Sequence, residues 1–168
     1  MATEKTLDDL FLETLNDVYY AEKHLAKTLP KMARAAQDRA LADGFLKHAD
    51  ETEIHVERLE QIFELMGKPA RAKTCDAIIG IIEEGKSVME DFKDTIALDA
   101  GLISSAQAVE HYEITRYGTL IAWARELGRP DCAMVLEETL EEEKAADLKL
   151  TGLADGEINA VAEMATAK

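Results

Sequence analysis

The chain has 168 residues, 47% of them hydrophobic, with 34 Asp and Glu against 19 Lys and Arg and a formal net charge of −15. A chain of this length can close a sizeable core, and acids spread along it instead of gathered in one block exclude an acidic disordered tail. Duplex nucleic acid is bound by neutralising phosphates with Lys and Arg, so a protein of this charge without a basic stripe is not expected to bind it, and anionic membranes are disfavoured for the same reason.

No apolar run approaches the ~20 residues needed to span a bilayer. The opening MATEKTLDDLFLETL places acids where a signal peptide would be apolar, so a cytoplasmic location is expected. Cys75 and Cys132 have no C-x-x-C spacing, and the expectation is two reduced thiols.

In chain order, Leu7, Leu10, Phe11, Leu15, Val18, Leu25 and Leu29 recur at three and four residues and predict a long helix over about 5–36. Thr6 opens it, with Asp8 and Asp9 complementing the dipole of its first turn. Pro30 should kink it or remove one backbone bond. A second helix starts near residue 40, carries Phe45, Ala49, Thr52, Val56, Leu59, Ile62, Phe63 and Met66 on one face, and stops at Gly67 with Pro69 beyond. Residues 68–73 read as a connection. A third helical stretch is predicted over 74–96, a fourth over 99–127, the turn Gly128-Arg129-Pro130-Asp131, and a fifth over 131–153. The Ala-rich tail after Gly156 should be a short helix or disordered. Residues 1–168 read as one domain.

Two antiparallel pairs of long helices, 5–67 and 99–153, joined by one intervening helix, specify an all-α, ferritin-like four-helix bundle with an additional crossover helix between the second and third bundle helices. A weak internal repeat supports this: an offset of 91 residues pairs Val18 with Val109, Glu22 with Glu113, Thr28 with Thr119, Leu29 with Leu120 and Ala33 with Ala124.

Bundles of this kind hold metal with one Glu from the first helix of each half and a Glu, usually followed by His three residues later, from the second. Carboxylates can bridge and neutralise two cations, and imidazoles complete the coordination of iron or manganese. Glu51 follows Glu22 by 29 residues; Glu143 follows Glu113 by 30 and Glu110 by 33. At ~1.5 Å per residue, this is the path up one helix and back to the same height on its antiparallel partner. His48, His55 and Asp147 lie one turn from these second-helix glutamates, on a shared face. Ile54 and Ala146 stand where a strict Glu-x-x-His would have histidine. Most other acids, including the run Glu137–Glu143 apart from Glu143 itself, belong to a solvated coat. His24 and His111 are assigned to the surface or to positions behind the ligands. Tyr19, Tyr20, Tyr112 and Tyr117 read as core residues with hydrogen-bonded hydroxyls.

The stretches DVYYAEKHLAKTL, HADETEIHVERLEQIF, AGLISSAQAVEHYEITRYGTL and LEETLEEEKAADLKLTGLA, spanning about 6–155, resemble the YciE/YciF family of stress-associated bacterial ferritin-like proteins. The resemblance implies a ferritin-like bundle, a homodimer and a rubrerythrin-like dinuclear site, to which Glu110-x-x-Glu113 conforms. The residues it marks are Glu22, Glu51, Glu110, Glu113 and Glu143, completed by His48, His55 or Asp147. Two iron ions, or manganese, are the expected cofactors. Glu51 and Glu143 would bridge them, and Glu22, Glu110 and Glu113 would be terminal. The expected role is to handle metal or consume peroxide or dioxygen under stress. The competing reading is a metal-free structural or protein-interaction helical module that retains the fold; a nucleic-acid mimic and a 24-subunit storage cage are weaker readings.

Overall fold

The computed structural model describes residues 4–164. Helix α1, Leu7–Ala35, starts in a capping box: the Thr6 hydroxyl accepts from Asp9 N, and Asp9 accepts from Thr6 N at 2.8 Å. It continues past Pro30 to Ala35, so the proline removes one donor without ending the helix. The turn into α2, Arg39–Leu65, is held from outside. Buried Asp99 accepts Gln37 N at 2.9 Å and Asp38 N at 2.7 Å, while Asp38 caps α2 by accepting from Leu41 N.

Helix α2 ends at Gly67 and α4, Leu98–Glu126, at Gly128, both glycines with positive φ. Each closes a carbonyl-capping turn, with Lys68 N donating to Phe63 O and Arg129 N to Ala124 O. Helix α3 is Asp76–Asp91, α4 is Leu98–Glu126 and α5 is Pro130–Leu153, with Pro130 in the first turn, where its missing N–H leaves nothing unmade. A π-helical turn, 154–158, leads into the short α6, Asn159–Glu163, which answers the expectation of a short terminal helix; residues 165–168 of that tail lie outside the described residues.

One boundary is corrected. The third helix, expected to reach residue 96, stops at Asp91. Phe92 to Thr95 close a turn through Thr95 N and its hydroxyl onto Phe92 O, with Asp94 at φ 60, a conformation Asp tolerates. No Gly or Pro marks that stop.

Four long helices pack as a bundle in which α1 and α2, and α4 and α5, are the extensively contacting pairs, and α3 lies on α4 and α1. Two apolar cores stack along the bundle. One joins Phe11, Leu15, Val18, Leu59, Ile62, Phe63, Tyr117, Leu120 and Leu136. The other joins Leu29, Met32, Leu41, Phe45, Leu98, Leu102, Ile103 and Leu150. Helices α1 and α5 run from the first core to the second, whereas α2 and α4 run from the second to the first. Helix α3 must therefore carry the chain back between α2 and α4, which is the ferritin-like crossover. Its apolar face, Ile78 and Ile82, packs with Ala21, Leu25 and Val109. No helix among the described residues is long and apolar enough to cross a membrane.

Candidate metal centre

Between the two apolar cores lies a buried polar layer: Glu22 from α1, His48, Thr52 and His55 from α2, Glu110 and Glu113 from α4, and Thr139 and Glu143 from α5. Each stands on the same stripe as the leucines and phenylalanines above and below it, which is why the helices cannot turn these groups to solvent without exposing the cores. Burying ionisable groups is unfavourable unless they are paired or hold a metal.

Two groups of donors converge. One ligand atom each from His48, Glu110, Glu113 and Glu143 lies within 4.8 Å of the others, and the same holds for Glu22, His55 and Glu143. Glu143 belongs to both. The inward His48 Nε2 is 3.2 Å from Glu110 Oε1 and 3.3 Å from Glu143 Oε2. The inward His55 Nδ1 is 3.0 Å from Glu143 Oε1 and 3.5 Å from Glu22 Oε1.

These approaches leave much unsatisfied. Glu22 Oε2, His55 Nδ1, Glu110 Oε2, Glu113 Oε1 and both oxygens of Glu143 are buried without a hydrogen-bond partner. Native interiors pair nearly all such atoms, so six exceptions on the residues of these two groups fit cations held by them. Oxygen-rich donors with one imidazole per group suit iron or manganese.

The outer nitrogen of each histidine is held by a second carboxylate. His48 Nδ1 lies 3.2 Å from Glu51 Oε2, whose other oxygen accepts from Lys47 Nζ at 2.6 Å. His55 Nε2 lies 2.8 Å from Glu142 Oε2, and Arg58 grips Glu142 with two bonds of 2.6 and 3.0 Å. Both histidines are thus oriented by a carboxylate that is itself fixed by a cation, the arrangement that orients metal-binding imidazoles.

The electrostatics follow from this packing. Burial pushes Glu110 up to about 8, only partly opposed by His48. Burial, reinforced by the charges of Glu143, Glu22 and Glu110, holds Glu113 well above the usual range. Burial would also raise Glu143, but the two imidazoles outweigh it and lower its pKa. For His55, burial opposes protonation, yet the carboxylates of Glu22 and Glu143 raise it to about 10; His48 is raised in the same way by Glu110, Glu143 and Glu51. Glu51, hydrogen-bonded to His48 and Lys47, falls to about 2 despite partial burial.

Of the eight residues singled out from sequence, six meet here: Glu22, His48, His55, Glu110, Glu113 and Glu143. The other two do not join the converging groups. Glu51 faces the outer side of His48, and Asp147 accepts from Gln107 Nε2 and lies 3.2 Å from the exposed His111. Sequence reasoning missed Glu142, counted among the solvated acids; Arg58, three residues after His55, was the available signal. Tyr117, fully buried, donates its hydroxyl to Glu22, and Tyr19 donates to Glu60 at 2.7 Å, so both are hydrogen-bonded core tyrosines. Cys75 and Cys132 are free and buried.

Comparison with known proteins agrees with this architecture. Residues 6–163 match the family model described as "Domain of unknown function (DUF892)". Protein YciF of Escherichia coli (strain K12) is 46% identical over 161 residues, 95% of this chain and 96% of that protein. The crystal structure of the E. coli stress protein YciF aligns with a TM-score of 0.88 at 44% identity, covering 93% of this chain and 99% of that one. YcfI from Rhodopseudomonas palustris aligns with a TM-score of 0.86 at 45% identity, covering 90% and 97%. A Xanthomonas campestris protein at 20% identity shares the fold with a TM-score of 0.74, covering 95% and 98%. With the matched model and the 46% identical relative each covering most of its length, the chain belongs to the YciE/YciF (DUF892) family of ferritin-like bacterial stress proteins.

Proposed function

We propose that this chain is a dinuclear metal-binding protein, with iron first and manganese second, that handles metal or consumes peroxide or dioxygen during bacterial stress. The observation that carries this reading is the set of buried, unpartnered donor atoms converging from four helices. Glu22 and His55 would hold one ion, His48, Glu110 and Glu113 the other, with Glu143 between them. Glu51 and Glu142 would orient the imidazoles. The metal pair would supply redox chemistry. The protein's part is to exclude water with the flanking apolar cores, to fix both histidines, and to release protons held at Glu110, Glu113 and the imidazoles when cations arrive.

Metal-free protein loaded with ferrous iron or manganese should hold about two ions per chain, the number such carboxylate bundles bind, measured by elemental analysis. Glu143→Ala should lose both; unchanged metal content in that variant overturns the reading.

The metal-free structural alternative draws on the raised pKa values, because protonated Glu110 and Glu113 with two imidazolium ions can close the layer without a metal. It predicts native protein that contains no metal and an unfolding temperature indifferent to chelator. The family resemblance also supports a homodimer in the cytoplasm, which light scattering on the purified chain would test.

A further inference from the structure

The candidate centre opens on one side into a cavity of about 520 Å³ between α2 and α5. A water molecule takes roughly 30 Å³, so the space far exceeds what dioxygen or peroxide requires. It falls within the roughly 300–1,000 Å³ typical of sites for organic small molecules.

Its two ends differ. Towards the C-terminus of α2, Glu138, Glu141 and Glu142 gather near Arg58, and Arg58 is already committed to Glu142 and Glu138. That end repels anions. The other end is walled by Phe45, Leu150 and Leu153, and its one ionisable lining group is Lys149. Residue 44 is glycine, and a Cβ built there would meet Lys149 Nζ at 3.4 Å and Cε at 3.6 Å, so the lysine lies across the bare face of α2. Lys149 makes no hydrogen bond or ion pair among the described residues. Between the two ends the lining is Lys47, His48, Glu51 and Glu110, with Lys47 already paired to Glu51 at 2.6 Å.

The apolar end, with one uncommitted ammonium beside it, selects an amphiphile carrying a single negative group. We propose that the α2–α5 cavity binds an aliphatic monocarboxylate, its carboxylate on Lys149 and its chain against Phe45, Leu150 and Leu153. So placed, the ligand lies between solvent and the His48 side of the polar layer. Its recognition uses no metal.

The test is isothermal titration of the full-length, chelator-treated chain with decanoate. Saturable binding of about one decanoate per chain is expected, with decanol, which has the same tail and no charge, at least tenfold weaker. Lys149→Glu changes an exposed, unpaired side chain, so its circular-dichroism melt should match wild type while decanoate affinity falls at least tenfold. Gly44→Leu should abolish binding by filling the space. No saturable binding to wild type overturns the proposal, as does equal affinity in both variants. Loss of the wild-type signal upon dimerisation, seen by light scattering in the same samples, would give the cavity to a second copy instead and also overturns it. Because the chain is metal-free throughout, failure to hold iron or manganese leaves the result standing.

Discussion

His55 gives its outer ring nitrogen to Glu142 at 2.8 Å while its inner nitrogen faces Glu143 and Glu22. Two adjacent glutamates on α5 therefore do different work: Glu143 points into the polar layer, and Glu142, fixed by Arg58, decides how the imidazole is presented. Glu142→Gln keeps the shape and removes the charge. It is expected to weaken metal binding about 10- to 100-fold, the usual effect of losing a carboxylate behind a metal-binding histidine. Competition titration against a chelator of known affinity measures it. Glu51→Gln should act similarly through His48, with a stoichiometry still near two ions; loss of an ion outright would make Glu51 a ligand instead.

Metal-free protein should lose stability as pH rises above about 4.5. Glu110 and Glu113 ionise at higher pH in the fold than in an unfolded chain, where glutamate titrates near 4.5, and His55 stays protonated up to about 10 against 6.5. Stability from these protonated forms is complete below the unfolded values and is lost as pH climbs, through about 8 for Glu110 and about 10 for His55. Glu51, Glu142 and Glu143 have the opposite sign and lose their contribution on acidification. The melting temperature of the metal-free chain should peak near pH 4.5, fall as Glu110 and Glu113 lose their contribution, and fall more steeply above 6.5 as the histidines join them. Bound metal replaces the protons, so the loaded chain should show little of that alkaline decline, and metal affinity should rise between pH 6 and 8. Calorimetry across pH with and without metal checks both.

Asp99 should matter to folding and not to metal. Its buried carboxylate accepts two backbone N–H groups at the α1–α2 turn. Asp99→Ala leaves both without that acceptor and is expected to destabilise the chain by about 3 kcal/mol. Urea unfolding measures the loss, and metal stoichiometry at low temperature should be unchanged.

Tyr117→Phe isolates one hydroxyl. The side chain is fully buried and its hydroxyl donates to Glu22, so Phe keeps the packing and leaves Glu22 with another unpartnered oxygen. The metal-free chain should lose about 1–2 kcal/mol. Metal binding should recover part of that, because the cation satisfies the carboxylate; equal losses with and without metal would contradict this.

The helices and their topology were legible because a stripe at spacing three and four is demanded by burial itself. The glutamates of the layer were legible for a different reason: steps of 29 to 33 residues between Glu22 and Glu51 and between Glu110 or Glu113 and Glu143 match the path up one helix and back on its antiparallel partner. What periodicity could not resolve was which of several acids one turn apart faces inward. The 29-residue step from Glu22 pointed to Glu51, but the pair that meets is Glu22 and His55, separated by 33, the same step as from Glu110 to Glu143. Four residues shift a side chain by one turn along the axis while barely rotating it. Both choices therefore lie on one face, and only the packed bundle selects between them. The end of α3 was illegible because Asp94 makes its turn without a glycine.

The polar layer sits at mid-height, with an apolar core on either side. Helical bundles ordinarily fray from their ends inward. In this one, before cations arrive, the weakest cross-section is the waist, where four helices meet through strained charge and not through interlocked hydrocarbon. Hydrogen exchange on the metal-free chain should find the fastest-opening interior amides around Glu22, Thr52, Glu113 and Glu143, bracketed by slower ones. Loading would turn that waist into the tightest belt of the molecule.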